Sequence, residues 1–257
     1  MGTHRHKTYP TWIGLLIAIF IWGEAVLLTI FFSALGIVFV LPFSLIFESK
    51  RRKWMHGVAV AWAKLIMAFI PIWKTSIQGR ENIRKDKVYV IIANHQSLLD
   101  ILVLLAKLPV HFKFLAKQEL FSIPFIGWHM KYAGYIPIVR SSKESGKMAV
   151  DRAKELLKEG VSVLFFPEGT RSQDGTIKEF KVGAFKLARE LKAEILPVVI
   201  DGTGDVMPKD TLRMMRSSNF HLHVEKPVST DRVSEVEPVK ELVRHKMIQR
   251  LDEIRTR

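Results

Sequence analysis

The chain has 257 residues, no cysteine, 48% hydrophobic residues and a formal net charge of +14, with a mean hydropathy of +0.13. The length allows one full core with additions, and the missing cysteines exclude disulfides, thiolate nucleophiles and acyl-cysteine intermediates within it. A composition this basic and this apolar suits a protein at a membrane surface with anionic partners. No zinc-finger spacing, RNA-recognition signature or basic coiled coil is present, which argues against nucleic acid as the partner.

A short basic N-terminus leads into Trp12–Phe47, where Glu24 is the only formal charge. This run is far longer than the apolar part of a signal peptide. It is too long for one simple membrane span and marginal for two. Arg5 and Lys7 precede it and Lys50, Arg51, Arg52 and Lys53 follow it, which puts both ends on the cytoplasmic side. The pattern predicts a hairpin turning near Ser33–Gly36, as two tight spans or as a pair of helices dipping into one leaflet. Glu24 at a bilayer centre would cost about 2.5–3.5 kcal/mol, so it is expected to face a helix partner or the interface. Val58–Trp73, interrupted by Lys64 and bounded by Pro71, predicts an interfacial or core-packed helix.

From Thr75 the pattern is that of an α/β domain. The β-branched run Val88–Ile92 predicts a buried strand and the leucine-rich Leu98–Ala106 a helix. Further on, Asp151–Glu159 predicts a helix stopped by Gly160, Val161–Phe166 a strand, Phe180–Lys192 a helix, and Ile195–Ile200 and Phe220–Val224 two more strands. Val239, Leu242, Val243, Met247, Leu251 and Ile254 recur at helical spacing, which predicts a terminal docking helix. The fold class that follows is α/β, a mixed sheet surrounded by helices with an N-terminal hydrophobic helical hairpin for membrane attachment. The expected division is an anchoring hairpin over residues 1–57, a catalytic domain over 58–230 and a C-terminal helix over 231–257.

Asn94-His95-Gln96-Ser97 lies at the first strand-to-helix junction, with Asp100 five residues after His95. On one helix, that offset would put His95 and Asp100 about 140° apart. If His95 instead precedes the helix, Ser97 caps it and Asp100 falls at its third position, where His95 can fold back onto the carboxylate. The carboxylate then holds one ring nitrogen while the other acts as a base. On these residues alone, a plain capping pair of Ser97 and Asp100 beside a loop histidine fits equally well.

Phe166-Pro167-Glu168-Gly169-Thr170-Arg171 follows a buried strand, with Gly169 permitting a tight turn and Arg171 offering a planar fork suited to phosphate. An ordinary turn with a solvated ion pair is the competing explanation. Gly134–Arg140, GYIPIVR, predicts a short edge strand because of Pro137, and KFLAKQEL lies upstream of it. Lys117 and Arg140 are thus further cationic candidates for one pocket, though each alone is equally a surface charge. Other chemistries lack their parts. Ser162 sits in a strand without the second glycine of a nucleophile elbow, Ser145-Gly146-Lys147 lacks the rest of a P-loop, and His221 and His223 have no third partner for zinc.

NHQSLLD, KQEL with GYIPIVR, FPEGTR and LPVVI at Leu196–Ile200 come in the order of four motifs of one family. Over roughly Gly79–Val228 the chain resembles the glycerolipid acyltransferases, and within them the PlsC-type 1-acyl-sn-glycerol-3-phosphate acyltransferases. Val139 stands where many members carry an acidic or amide residue. The resemblance implies transfer of an acyl chain from acyl-CoA or acyl-acyl carrier protein to the sn-2 hydroxyl of lysophosphatidic acid, giving phosphatidic acid, with no cofactor or metal. It implies His95 as general base and Asp100 as its orienting partner. Lys117, Arg140, Glu168, Gly169, Thr170 and Arg171 would be substrate-binding, and the location the cytoplasmic face of a bacterial inner membrane. Two alternatives stand beside it: an acyltransferase for another lysophospholipid or a lyso-aminolipid, and a non-catalytic basic membrane-anchored binding protein.

Overall fold

A computed structural model describes residues 10–40, 42, 48–70, 73–211, 219–231 and 234–256. Arg5, Lys7 and Pro71, which entered the reading of the membrane segment, lie outside them. The first element is helix α1, Thr11–Leu35, which continues without reversal through a π-helical turn at Gly36–Val40. The turn expected near Ser33–Gly36 is therefore absent. Gly36 has ordinary right-handed helical angles, and its use is close packing, since a β-carbon there would meet the Met55 methyl at 3.1 Å. The second arm is α2, Glu48–Phe69, which runs unbroken across residues 57 and 58. The arms pack antiparallel: Trp62 Nε1 donates to Thr29 Oγ1 at 3.1 Å, seven residues along each helix from the Gly36–Met55 contact.

One face of α1 has no protein against it. Trp12, Leu16, Ile19, Phe20, Leu27 and Phe31 are all exposed, and Trp12–Val40 has a mean hydropathy of 2.4. A helix apolar on every side belongs in lipid or in a core, so α1 is a candidate membrane anchor.

Seven strands follow: β1 Thr75–Gln78, β2 Tyr89–Ala93, β3 Phe112–Lys117, β4 Ile136–Ile138, β5 Ser162–Phe165, β6 Glu194–Asp201 and β7 Phe220–Val224. They form one mixed sheet in the order β1-β7-β6-β2-β5-β3-β4. Among the described strand pairings only β6–β7 is antiparallel. The crossover helices are α3 Leu99–Lys107, α4 Ile126–Ala133, α5 Lys143–Lys158 and α6 Gly183–Glu190; the short α7 Thr203–Val206 lies between β6 and β7, and α8 Val236–Thr256 follows β7.

The central strand β2 is buried on both faces, which is why it reads as an unbroken apolar run. Tyr89, Ile91 and Ala93 join the core under α1, α2 and α3, while Val90 and Ile92 join the core under α5, α6 and α8. Helix α5 begins with the Ser142 hydroxyl accepting the Ser145 N–H at 3.1 Å. It ends at Gly160 with φ +80°, where the Val161 N–H returns to Leu156 O at 2.9 Å, a left-handed glycine stop of the Schellman kind.

Candidate active site

Four adjacent parallel strands deliver the site. β2, β5, β3 and β4 lie side by side with their carboxyl ends on one edge. The loops leaving those ends carry His95, Glu168–Arg171 and Arg140, while Lys117 closes β3 itself. The carboxyl edge of an open α/β sheet is where side chains are free to meet a ligand.

Asp100 lies fully buried in the first turn of α3. Its Oδ2 is 2.7 Å from His95 Nδ1 and accepts the backbone N–H groups of Gln96 at 2.7 Å and Ser97 at 2.9 Å. Its Oδ1 accepts the Thr203 hydroxyl at 2.5 Å. One carboxylate thus caps the chain turn and grips the imidazole together. The helix starts at Leu99, so Asp100 is at its second position rather than its third. The Ser97 hydroxyl accepts the Leu99 N–H at 3.3 Å, a bond of the capping kind, and also donates to Met207 O at 2.7 Å.

Because Asp100 can only accept, the Nδ1 nitrogen of His95 carries the hydrogen and Nε2 is left with its lone pair. The imidazole stacks on Phe166 with centroids 4.1 Å apart and an interplanar angle of 18°. Its backbone is held as well: His95 N–H donates to Glu168 Oε1 at 2.9 Å, and His95 O accepts the Ser172 N–H at 2.7 Å. Next to it, Asn94 makes a two-bond clamp with the Ile200 backbone, both at 2.8 Å, fixing where β2 ends.

Glu168 is 8% exposed, and its second oxygen accepts the Lys178 N–H at 3.1 Å. Burial raises its pKa above the ordinary carboxylate value, against the pull of those two backbone donors. Gly169 turns the chain at φ +72°, and a β-carbon there would lie 2.7 Å from Lys181 Nζ. Lys181 therefore lies across the turn, a cation that sequence reasoning missed.

Burial, followed by the charge of Arg171, holds the Arg140 guanidinium below its ordinary value, with Glu119 opposing. Arg171 reaches Asp210 only at 3.9 Å. Lys117 sits at the exposed rim in an ion pair with Glu119 at 3.0 Å. Thr170 is half-buried between Gly169 and Arg171. The arrangement offers one oriented imidazole beside a cluster of guanidinium and ammonium groups, which suits a base working on an anionic substrate. Among the described residues no group of three or more His, Asp or Glu side chains is arranged to hold a metal.

An acyltransferase family model matches residues 74–201. A chloroplastic 1-acyl-sn-glycerol-3-phosphate acyltransferase of Arabidopsis thaliana is 41% identical over 188 residues, 73% of this chain and 52% of that protein. The chain therefore spans about half the length of the plant relatives it matches. A 1-acyl-sn-glycerol-3-phosphate acyltransferase of Saccharomyces cerevisiae is 32% identical over 225 residues, 85% of this chain and 72% of that protein. The crystal structure of the 1-acyl-sn-glycerophosphate acyltransferase PlsC from Thermotoga maritima superposes with a TM-score of 0.71 at 29% identity, covering 92% of this chain and 98% of that one. With a family model over residues 74–201 and a relative 32% identical that is matched over 72% of its length, the chain belongs to the acyltransferase family.

Proposed function

We propose that the protein transfers an acyl chain from an acyl thioester, acyl-CoA or acyl-acyl carrier protein, to the sn-2 hydroxyl of 1-acyl-sn-glycerol-3-phosphate, giving phosphatidic acid and the free thiol. The observation that carries this reading is the 2.7 Å contact between His95 Nδ1 and Asp100 Oδ2.

His95 Nε2 takes the hydroxyl proton as that oxygen attacks the thioester carbonyl. The tetrahedral intermediate collapses with loss of the thiolate, which takes a proton back. Asp100 keeps the ring in the tautomer that leaves Nε2 basic and stabilises the imidazolium once formed. General-base help of this kind accounts for about 10²–10⁴ in rate. Arg140, Arg171 and Lys117, with the Gly169–Thr170 turn, bind the acceptor phosphate and the developing oxyanion. Glu168 contributes by tying the His95 loop to the 168–178 loop, since both its oxygens are engaged with backbone. The acyl tail of the acceptor explains a membrane location, because full withdrawal from lipid costs about 0.8 kcal/mol per CH₂. We place the site at the cytoplasmic face of a bacterial inner membrane, where both thioester donors are found.

The test is acyl transfer from labelled acyl-CoA and acyl-acyl carrier protein to lysophosphatidic acid, comparing wild type with His95→Ala. Loss of transfer in a folded mutant is the expected result. Equal rates in both would remove His95 as the base, and undiminished transfer to an acceptor whose phosphate is capped would move the substrate to another lysophospholipid.

A further inference from the structure

A second polar cluster lies away from the His95 site, where the far end of α2 meets the far end of α3 and the start of β1. A cavity of about 280 Å³ there is lined by Lys64, Lys107, Trp73 and Thr75, with Met67 and Ala106 among its apolar walls. Lys107 ends α3 seven residues beyond Asp100, about 10 Å along the helix axis.

Every polar side chain lining this cavity can donate a hydrogen bond: two ammonium groups, an indole N–H and a hydroxyl. Among the described residues no Asp or Glu lines it. Trp73 is 5% exposed, and among the described residues its Nε1 and the Thr75 Oγ1 are buried with no hydrogen-bond partner. Trp73 is set in place by packing on Phe220 at 5.6 Å between ring centroids. Buried donors in native proteins almost always have a partner. Lys64 and Lys107 bring two positive charges to the same cavity.

We propose that this cavity binds an anion of the phosphate class, held by Lys64 and Lys107 and accepting from Trp73 Nε1 and Thr75 Oγ1. The volume lies just under the range of ordinary ligand pockets, about 300–1,000 Å³, so it takes a phosphate or a phosphate-bearing headgroup rather than a whole nucleotide. A lipid headgroup and a free phosphate share this chemistry. Lys107 also complements the carboxyl end of α3.

The experiment uses the full chain in detergent micelles with ¹⁵N-labelled tryptophan, the Trp73 indole resonance being assigned by its loss in Trp73→Phe. Inorganic phosphate is titrated in one arm, and phosphatidylglycerol doped into the micelles in the other, at constant ionic strength. The expected result is a saturable shift of the Trp73 resonance whose midpoint rises at least tenfold in the Lys64→Gln/Lys107→Gln double variant, where both changes are at solvent-reachable side chains. A shift with phosphate identifies the free anion as sufficient. A shift with phosphatidylglycerol alone identifies a bilayer headgroup. No shift with either probe, a midpoint unchanged in the double variant, or an equal response to phosphatidylcholine would overturn the proposal.

Discussion

The Thr203 hydroxyl donates to Asp100 Oδ1 at 2.5 Å, joining the turn after β6 to the first turn of α3 across 103 positions of sequence. Both residues are fully buried. Asp100 Oδ2 is already occupied by His95 and two backbone amides, so Thr203 sets the carboxylate's remaining freedom. Thr203→Val keeps the shape and deletes the donor. We expect kcat to fall about 10-fold, the effect of roughly one hydrogen bond to a charged group, with acceptor KM unchanged. Asp100→Asn replaces an all-acceptor group by one whose amide N–H₂ faces donors, and should cost about 10²–10⁴ in kcat. Steady-state kinetics of the two variants checks this, and a Thr203→Val enzyme altered in KM alone would contradict it.

The charge of Arg171 acts against that of Arg140, and an anion bound by both would relieve this. If the acceptor phosphate is that anion, Arg171→Ala should raise KM for lysophosphatidic acid about 10- to 100-fold, from the loss of a charge-assisted hydrogen bond. The KM for the acyl donor should move far less. Arg171→Lys should recover only part of the loss, because an ammonium cannot supply the planar fork. Equal rises in both KM values would place Arg171 outside the acceptor site.

The motif at His95 was legible because its chemistry is local: a strand, a turn and a helix within about a dozen residues fix how His95 and Asp100 meet. Gly160 was legible for the same reason, a stop whose left-handed backbone depends on its own residue type. Thr203, Phe166 and Lys181 were not given roles from sequence, since each acts through a contact the chain makes only after folding. A glycine such as Gly169 hints that something passes close by, without saying that it is Lys181. Helix α4 and strand β3 were not drawn from the pattern, because Phe112–Lys117 mixes buried Lys113 with apolar neighbours and blurs the alternation. Gly36 misled in the opposite direction: glycine suits a turn, but here it serves helix packing against Met55.

His129 gives stability a pH dependence. Burial holds its imidazole down to about 4, against a hydrogen bond to the Met55 backbone and with the Lys113 charge adding to the fall. The folded value lies below the unfolded one near 6.5, so the neutral ring is the form the fold favours. The stabilisation is therefore complete above pH 6.5 and is lost as pH falls from there toward 4. The gap between the two values corresponds to about 3 kcal/mol. Between pH 7.5 and 4 the wild-type melting temperature should fall more steeply than that of His129→Phe, which keeps a ring in place without the titration. Parallel curves would assign the acid sensitivity to other groups.

Arg255, in the last turn of α8, ties the outer rim of the site together. Its Nε and Nη2 donate to Asp201 Oδ1 at 3.1 and 2.9 Å, and Nη2 also donates to Gly175 O at 3.0 Å. Asp201 Oδ1 in turn accepts Gln96 Nε2 at 3.3 Å, one residue from His95. Gly175 allows the approach, because its φ is +75° and a β-carbon there would lie 2.7 Å from Arg255 Nη2. The guanidinium thus links the 172–178 loop, the end of β6 and the His95 turn. Partly exposed ion pairs contribute little to stability, typically up to about 1 kcal/mol, so Arg255→Ala should fold and melt within a few degrees of wild type. Its kcat should drop several-fold, because small displacements of a catalytic group are costly, while both KM values hold. Arg255→Lys should restore part of the rate through the Asp201 contact. A drop in melting temperature with kcat intact would show instead that Arg255 only fastens the terminal helix, with no hold on His95.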